Sequence, residues 1–380
     1  MTAGERVSPQ SPARTGRILS GMRPTGRLHL GNYVGALENW VRLQDAGWEN
    51  LHMVADWHML TTGYEDTSRL QSDIHDMVLD WLGAGLDPER SVIFVQSDVK
   101  EHAELHLLLS MLVSKARLER IPTLKEQIRD LHLDEQTISY GHLGYSVLQA
   151  ADILLYKATH VPVGEDQVPH VELTREIARR FNFLYCRDRA PVFPEPAAQL
   201  TAFPRLRGLD GNRMSKSVGN TILLSDSPEE IVARVRAAYT DPKKMRATDP
   251  GRPEADLSEL DADGRPVHGG CVVWEYHRKF NSGEAEDIAN RCRAGTLACV
   301  PDKKHLAEVL AAQLAPIRER RERWAADPEA VREVIRSGNA RARAIAAATL
   351  EEVRAAMGLQ SGVSVAAGSV RSPAPGPGGA

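Results

Sequence analysis

Four short runs of the chain are largely apolar: Arg17–Met22, Leu51–Asp56, Ser91–Gln96 and His160–Val163. Runs of this length without a polar face predict strands buried on both sides of a sheet. Between them, Tyr33–Ala46, Leu70–Ala84 and Ala103–Val113 repeat apolar residues at helical spacing, with Tyr33, Leu37, Trp40 and Val41 inward in the first. This alternation predicts an α/β fold, a parallel sheet with helices on both faces. Ligands of such sheets bind beyond the carboxyl ends of the strands. From about Pro228 the pattern is helical nearly throughout, with Pro242, Pro250, Pro301 and Pro328 near breaks or starts. A boundary near Phe203 separates a sheet domain (17–203) from a loop and an all-helical C-terminal domain (204–358). Segments 1–16 and 359–380 are rich in small and polar residues and are expected to be disordered.

The 380 residues are enough for two domains, each with its own core. No apolar run approaches the ~18–20 residues that span a bilayer, and the N-terminus lacks the apolar stretch of a secretory signal. The expected location is therefore cytoplasmic, with no membrane partner. There the four cysteines, Cys186, Cys271, Cys292 and Cys299, are expected to stay reduced. A net charge of −4 argues against a protein that coats nucleic acid generally. Arg318, Arg320, Arg321, Arg323, Arg332, Arg336, Arg341 and Arg343 concentrate positive charge near the C-terminus. On charge alone they read equally well as a solvated helix face or as a nucleic-acid surface.

Two segments carry candidate chemistry. Ser20-Gly21-Met22-Arg23-Pro24-Thr25-Gly26-Arg27-Leu28-His29-Leu30-Gly31-Asn32 leads from the first strand into the first helix. Its glycines let backbone approach a ligand closely, and a helix N-terminus offers free N–H groups to phosphate. Asn212-Arg213-Met214-Ser215-Lys216-Ser217 is a loop that gathers cations and hydroxyls. One site to fix a nucleotide and another to close on its phosphates point to phosphoryl or nucleotidyl transfer.

The pair resembles the two ATP signatures of class I aminoacyl-tRNA synthetases, here His29-Leu30-Gly31-Asn32 and Arg213-Met214-Ser215-Lys216-Ser217. With Ala150-Ala151-Asp152-Ile153-Leu154-Leu155-Tyr156 and Val161-Pro162-Val163-Gly164-Glu165-Asp166-Gln167, the likeness is to the tryptophanyl-tRNA synthetase family, from about Arg17 to Gly358. The resemblance implies a Rossmann-type catalytic domain, a helical anticodon-binding domain and a homodimer. It implies formation of tryptophanyl-adenylate from L-tryptophan and ATP, then transfer to the 3′ end of tRNA(Trp), with the 2′-hydroxyl attacking first. Arg213 and Lys216, with Ser215 and Ser217, suit the leaving pyrophosphate, and His29 suits the transferring phosphate. Further nucleotide contacts implied by the family are Arg23, Pro24, Thr25, Gly31, Asn32, Gly164, Glu165, Asp166, Leu206 and Met214. Asp166 would face a ribose hydroxyl; Glu165 and Asp166 also read as N-terminal acids of a helix Gln167–Phe181. Mg²⁺ would accompany ATP, held by phosphate oxygens and water. Two residues depart from the family pattern, Arg213 for a lysine and Arg23 for a frequent glutamine.

Tyr145, Gln149 and Asp152 share one face if their segment is helical. An acid among Ala150, Ala151, Ile153, Leu154 and Leu155 needs a partner, because burying an unpaired charge is costly. The family likeness makes Asp152 the acceptor of the indole N–H, with His58 lining the same pocket or serving as a core histidine. A tyrosyl-tRNA synthetase also holds its ring through an acid; Asn32 and the Gly164–Gln167 string favour tryptophan. A non-charging nucleotide- or RNA-binding paralogue is the other alternative, against which His29, Lys216 and Asp152 all stand intact. Some family members hold an iron–sulfur cluster on four cysteines. Cys271, Cys292 and Cys299 resemble that motif, with Asp302 at the fourth position, and small buried cysteines are the alternative reading.

Overall fold

The computed structural model describes residues 16–122, 138–200, 206–254 and 270–359. Apart from Gly16 and Leu359, the ends expected to be disordered lie outside these residues, as does the boundary at Phe203. In chain order the first elements are β1 (Arg17–Met22), a helical turn α1 (Leu30–Asn32), α2 (Glu38–Asp45), β2 (Glu49–Val54), α3 (Asp56–Gly63), α4 (Leu70–Ala84) and β3 (Ser91–Val95). There follow α5 (Glu101–Ser110), α6 (Lys115–Leu118), α7 (Tyr140–Leu143), α8 (Tyr145–Leu155), β4 (His160–Val163), α9 (Val168–Tyr185) and β5 (Ala197–Leu200). The remaining elements are helices: α10 (Pro228–Arg236), α11 (Val272–Phe280), α12 (Ala285–Arg293), α13 (Cys299–Ala325) and α14 (Pro328–Met357).

The five strands are parallel, in the order β3-β2-β1-β4-β5. Successive strand residues enter opposite cores, as the period of two requires. On β3, Val92 and Phe94 join α5, α8 and α9 on one face. Ile93 and Val95 join α2, α4, α10, α11 and α13 on the other. Both cores draw on residues from either side of position 203: Ala342, Ala346, Leu350 and Val353 of α14 complete the first, and Leu306, Leu310 and Leu314 of α13 complete the second.

The α/β architecture is as the pattern predicts, and the departures have local causes. The first helix begins at Leu30, three residues early, because His29 caps it, and a π-turn (Tyr33–Leu37) joins α1 to α2. The second strand stops at Val54, since the Asp56 carboxylate accepts the Trp57 and Ser97 N–H groups at 3.0 Å and turns the chain into α3. β5 had no sequence signal: Ala197-Ala198-Gln199-Leu200 has no β-branched residue and is only partly buried. Residues 237–254 are turns, although the pattern past Pro228 reads as helix. There the Asp241 carboxylate accepts the Lys243 and Arg252 N–H groups at 3.0 and 2.9 Å, offering the backbone an alternative to the helix.

Helix α14 closes the open edge of β3. Gly338 lies so near the strand that a Cβ there would sit 1.7 Å from the Ile93 carbonyl oxygen. The neighbouring Asn339 Oδ1 accepts the Val95 N–H at 2.8 Å, and Arg341 donates to the Pro88 carbonyl at 2.8 Å. An edge strand covered this way offers no free ladder to another chain.

Candidate active site

The strand order reverses at β1 and β4, and a cavity of about 940 Å³ opens beyond their carboxyl ends. That is the switch point at which open α/β sheets bind ligands. Its two ends are built differently.

One end is backbone and loop. The His29 Nδ1 accepts the Asn32 N–H at 3.3 Å, and the Asn32 Oδ1 accepts the His29 N–H at 3.1 Å, a reciprocal cap on α1. With Nδ1 accepting, the proton of a neutral imidazole sits on Nε2. Burial, then the nearby Lys216 charge, lower the His29 pKa to about 4, so at neutral pH it is an uncharged donor. The second segment folds directly onto this turn. Leu30 N–H donates to the Ile222 carbonyl and Leu224 N–H to the Leu28 carbonyl, both at 2.9 Å. The Lys216 ammonium donates to the Thr25 carbonyl and, at 2.7 Å, to the Arg27 carbonyl. Burial lowers the Lys216 pKa, and Asp73, Asp80 and Asp76 oppose that shift. Gly31 has no room for a side chain: a Cβ would lie 2.7 Å from the Met214 Sδ and 3.0 Å from the His29 ring.

Buried Asn220 organises the loop. Its Oδ1 accepts the Ser215 N–H at 2.8 Å, and its Nδ2 donates to Asp210 at 2.8 Å and to the Arg213 carbonyl at 3.0 Å. The Ser215 and Ser217 hydroxyls meet at 2.8 Å.

The other end is a buried side-chain network on Asp152. One carboxylate oxygen is 2.6 Å from His102 Nδ1 and the other 2.7 Å from His58 Nε2. Gln96 Nε2 donates to both, at 2.8 and 3.0 Å. Tyr156 OH lies 2.8 Å from His102 Nε2. Burial by itself raises the Asp152 pKa; the hydrogen bonds and charge of His102, then His58, outweigh it and hold the carboxyl well below the usual range. The Tyr145 ring meets His58 edge-on at 4.4 Å, and burial raises its phenol pKa. Val161 and Val163 of β4 add apolar wall.

The cavity brings together His29, Lys216, Arg213, Met214, Ser215, Ser217, Arg23, Thr25, Gly31, Asn32, Gly164 and Asp166 with His58, Tyr145, Gln149 and Asp152. Pro24 and Glu165 do not line it, and Leu206 lies in the apolar core. Gln96, His102 and Asn220 escaped the sequence reading, and Tyr156 entered it only within the Ala150–Tyr156 string. A polar residue at the carboxyl end of an apolar strand, as Gln96 is, was the available signal.

The expected cluster residues Cys271, Cys292, Cys299 and Asp302 lie close enough for their charges to interact. Cys271 is buried, and burial pushes its thiol up to about 12; burial also raises the Cys292 thiol. The Asp302 Oδ1 lies 3.3 Å from His277 Nε2, and neither buried atom has a hydrogen-bond partner among the described residues. Among the described residues no three His, Cys, Asp or Glu side chains come together as a metal site. The C-terminal arginines are mostly engaged as well. Arg320 donates to the Gly83 carbonyl at 2.7 Å, Arg321 pairs with Asp80 and Asp76, and Arg332 and Arg336 pair with Glu329.

A protein family described as tRNA synthetases class I (W and Y) matches residues 11–315. The chain belongs to this family. It is 51% identical over 345 residues to the tryptophan–tRNA ligase of Thermotoga maritima, covering 90% of this chain and 99% of that protein. To the tryptophan–tRNA ligase of Aquifex aeolicus it is 42% identical over 413 residues, covering 90% and 100%. The tryptophanyl-tRNA synthetase of Campylobacter jejuni, solved with ADP and tryptophan, superimposes with a TM-score of 0.73 at 29% identity, covering 90% of this chain and 99% of that one.

Proposed function

We propose that this chain activates L-tryptophan with ATP to tryptophanyl-adenylate and transfers the acyl group to the 3′ end of tRNA(Trp). The observation that carries this reading is the single cavity joining the His29–Lys216 end to the Asp152 end. Activation is attack of the amino-acid carboxylate on the α-phosphate, with pyrophosphate leaving. The protein forms no covalent bond; it positions the reactants and stabilises developing charge. His29, neutral and protonated at Nε2, donates to the transferring phosphate. Arg213 and Lys216 balance charge moving onto pyrophosphate, and Ser215 and Ser217 donate to it. Lys216 contacts the Thr25 and Arg27 carbonyls and has a third N–H to turn toward the phosphates.

Arg23, Thr25, Gly31, Asn32, Gly164 and Met214 form the nucleotide wall, and Asp166 receives a ribose hydroxyl. Pro24, Glu165 and Leu206 stand further back and shape that wall indirectly. Mg²⁺ arrives with ATP on phosphate oxygens and water. At the far end Asp152 accepts the indole N–H, with Tyr145, Gln149 and His58 around the ring. The four hydrogen bonds on Asp152 already match the lone-pair capacity of a carboxylate, so the indole takes the place of one donor. His58 is the donor that lines the cavity. Pyrophosphate exchange with each of the twenty amino acids tests activation and specificity together; exchange driven by tyrosine alone overturns the reading.

Activation runs through no iron–sulfur cluster; iron and sulfide analysis of anaerobically prepared protein tests whether Cys271, Cys292, Cys299 and Asp302 hold one. We place the boundary between catalytic and anticodon-binding regions near Phe203 and the protein in the cytoplasm. No helix among the described residues is long and apolar enough to cross a membrane. A homodimer is the proposed assembly, supported by the exposed Leu107 of α5 and Met111 just past its end.

A further inference from the structure

Asp80 is an anomaly of the same kind as Asp152: an acid between Leu79 and Trp81 on the apolar face of α4, fully buried. Its Oδ2 accepts the backbone N–H of Leu28 at 2.5 Å, immediately before His29. Its Oδ1 accepts from Arg321 Nε of α13 at 2.6 Å, and Arg321 Nη2 reaches Asp76 at 3.0 Å. The Leu28 carbonyl in turn accepts from Leu224, beyond the Lys216 loop. Leu28, the residue preceding His29, is thus held at both its N–H and its carbonyl, the former by a carboxylate that a C-terminal arginine holds in place.

We propose that Asp80 and Arg321 are positioning residues for nucleotide activation, fixing the His29 turn through the Leu28 N–H. A charge-assisted hydrogen bond is stronger and shorter than a neutral one, so an ionised Asp80 holds the turn more rigidly than a protonated one. The clamp acts on His29 and on the helix N-terminus behind it, both of which must meet the α-phosphate to within a fraction of an ångström. Helix α13 thereby contributes to chemistry at the opposite edge of its own packing face.

The charges that face Asp80 set its titration. They are Arg321 from α13, Asp76 on its own helix and Lys216 from the loop; behind them Arg27 of the turn lies 3.7 Å from Asp76, and Asp73 acts on the same Lys216. Burial raises the Asp80 pKa, while Arg321 and the Leu28 N–H oppose. Removing Arg321 removes the larger opposing influence, so the carboxyl protonates at higher pH.

The test, resting on the nucleotide reading of the His29 turn, is pre-steady-state adenylate formation against pH in full-length protein. Arg321→Met is expected to lower the rate about 10- to 100-fold near neutrality, the scale of a small misplacement at the reacting centre, with the tryptophan dissociation constant unchanged. Its acid limb moves to higher pH than in the wild type. Adding Asp80→Asn keeps an acceptor for Leu28 and removes the titration, so that limb disappears. Arg321→Lys, which keeps the charge and is gentler on packing, retains the wild-type limb. An unshifted profile in Arg321→Met, or a shifted limb that survives Asp80→Asn, overturns the assignment. Lys216→Ala in parallel separates the two ideas: a normal rate there removes the nucleotide reading itself, whereas a slow Lys216→Ala beside a normal Arg321→Met removes only the clamp.

Discussion

The two ends of the cavity solve different problems with different materials. At the phosphate end the contacts are backbone carbonyls, N–H groups and loop side chains, and Lys216 rests on two backbone carbonyls. At the ring end a buried carboxylate is saturated by three donors on three separate elements. Parts that follow charge through a reaction sit on a loop able to rearrange. Parts that decide identity sit on packed helices and a strand end, where a wrong ligand leaves a buried charge unsatisfied. Selectivity is therefore expected to fail sharply when the ring end is cut, and rate to fail in grades as the phosphate end is loosened.

The largest effect belongs to Asp152→Ala. A site built to receive an N–H rejects an analogue lacking it by ~10⁴–10⁵-fold. The wild type should discriminate on this scale between tryptophan and the analogue whose indole N–H is replaced by sulfur, and the variant should not. Exchange rates with both amino acids measure it; a variant that keeps the wild-type ratio shows that another group reads the ring.

Lys216→Ala comes next, with an activation rate lowered ~10²–10³-fold, as for loss of one transition-state contact. Rapid-quench adenylate formation should fall while tryptophan affinity holds. A raised tryptophan dissociation constant at an unchanged rate would place Lys216 at the wrong end.

Asn220→Ala tests whether the loop needs its internal frame. It removes three hydrogen bonds and should raise the KM for ATP about tenfold, on the order of 1–2 kcal/mol, without touching the KM for tryptophan. An unchanged KM for ATP would leave the loop shaped by ATP alone.

His29→Asn is the mildest, since an amide keeps a donor at the helix cap; a loss of less than about tenfold in rate is expected. Its pH signature is more telling. The folded His29 pKa of about 4 lies below the ordinary 6.5, so the unfolded chain binds a proton that the native chain refuses. Stability from this residue is full above 6.5 and declines as pH falls toward 4, by on the order of 1–2 kcal/mol at pH 5. Urea midpoints at pH 7 and pH 5 should differ less for His29→Asn than for the wild type. Equal differences would mean that the ring is not held neutral.

What the sequence disclosed follows the same division. The phosphate end was legible because its chemistry is local: glycines, a cap at His29 and a cation–hydroxyl loop are each written within a few positions. The acid of the ring end was legible as a misfit on an apolar helix, but its partners were not, because Gln96 comes from the turn just after β3 and His102 from α5. The same misfit argument applied to Asp80 and was not made, although Leu79 and Trp81 flank it. The arginines near the C-terminus stayed ambiguous because charge alone does not distinguish a surface for RNA from a tether. Arg320 and Arg321 are tethers, and only the packing of α13 on α4 reveals it.

The seal that α14 makes over β3 has a consequence for birth as well as for architecture. Asn339 caps Val95 across 244 positions. At ribosomal speeds of ~5–20 residues per second, that separation is roughly 12–50 s of synthesis. For that interval the nascent chain carries a strand edge whose final cover has not yet been made. The sheet therefore matures last at β3, and holdase chaperones should engage the nascent chain there until Gly338 and Asn339 emerge.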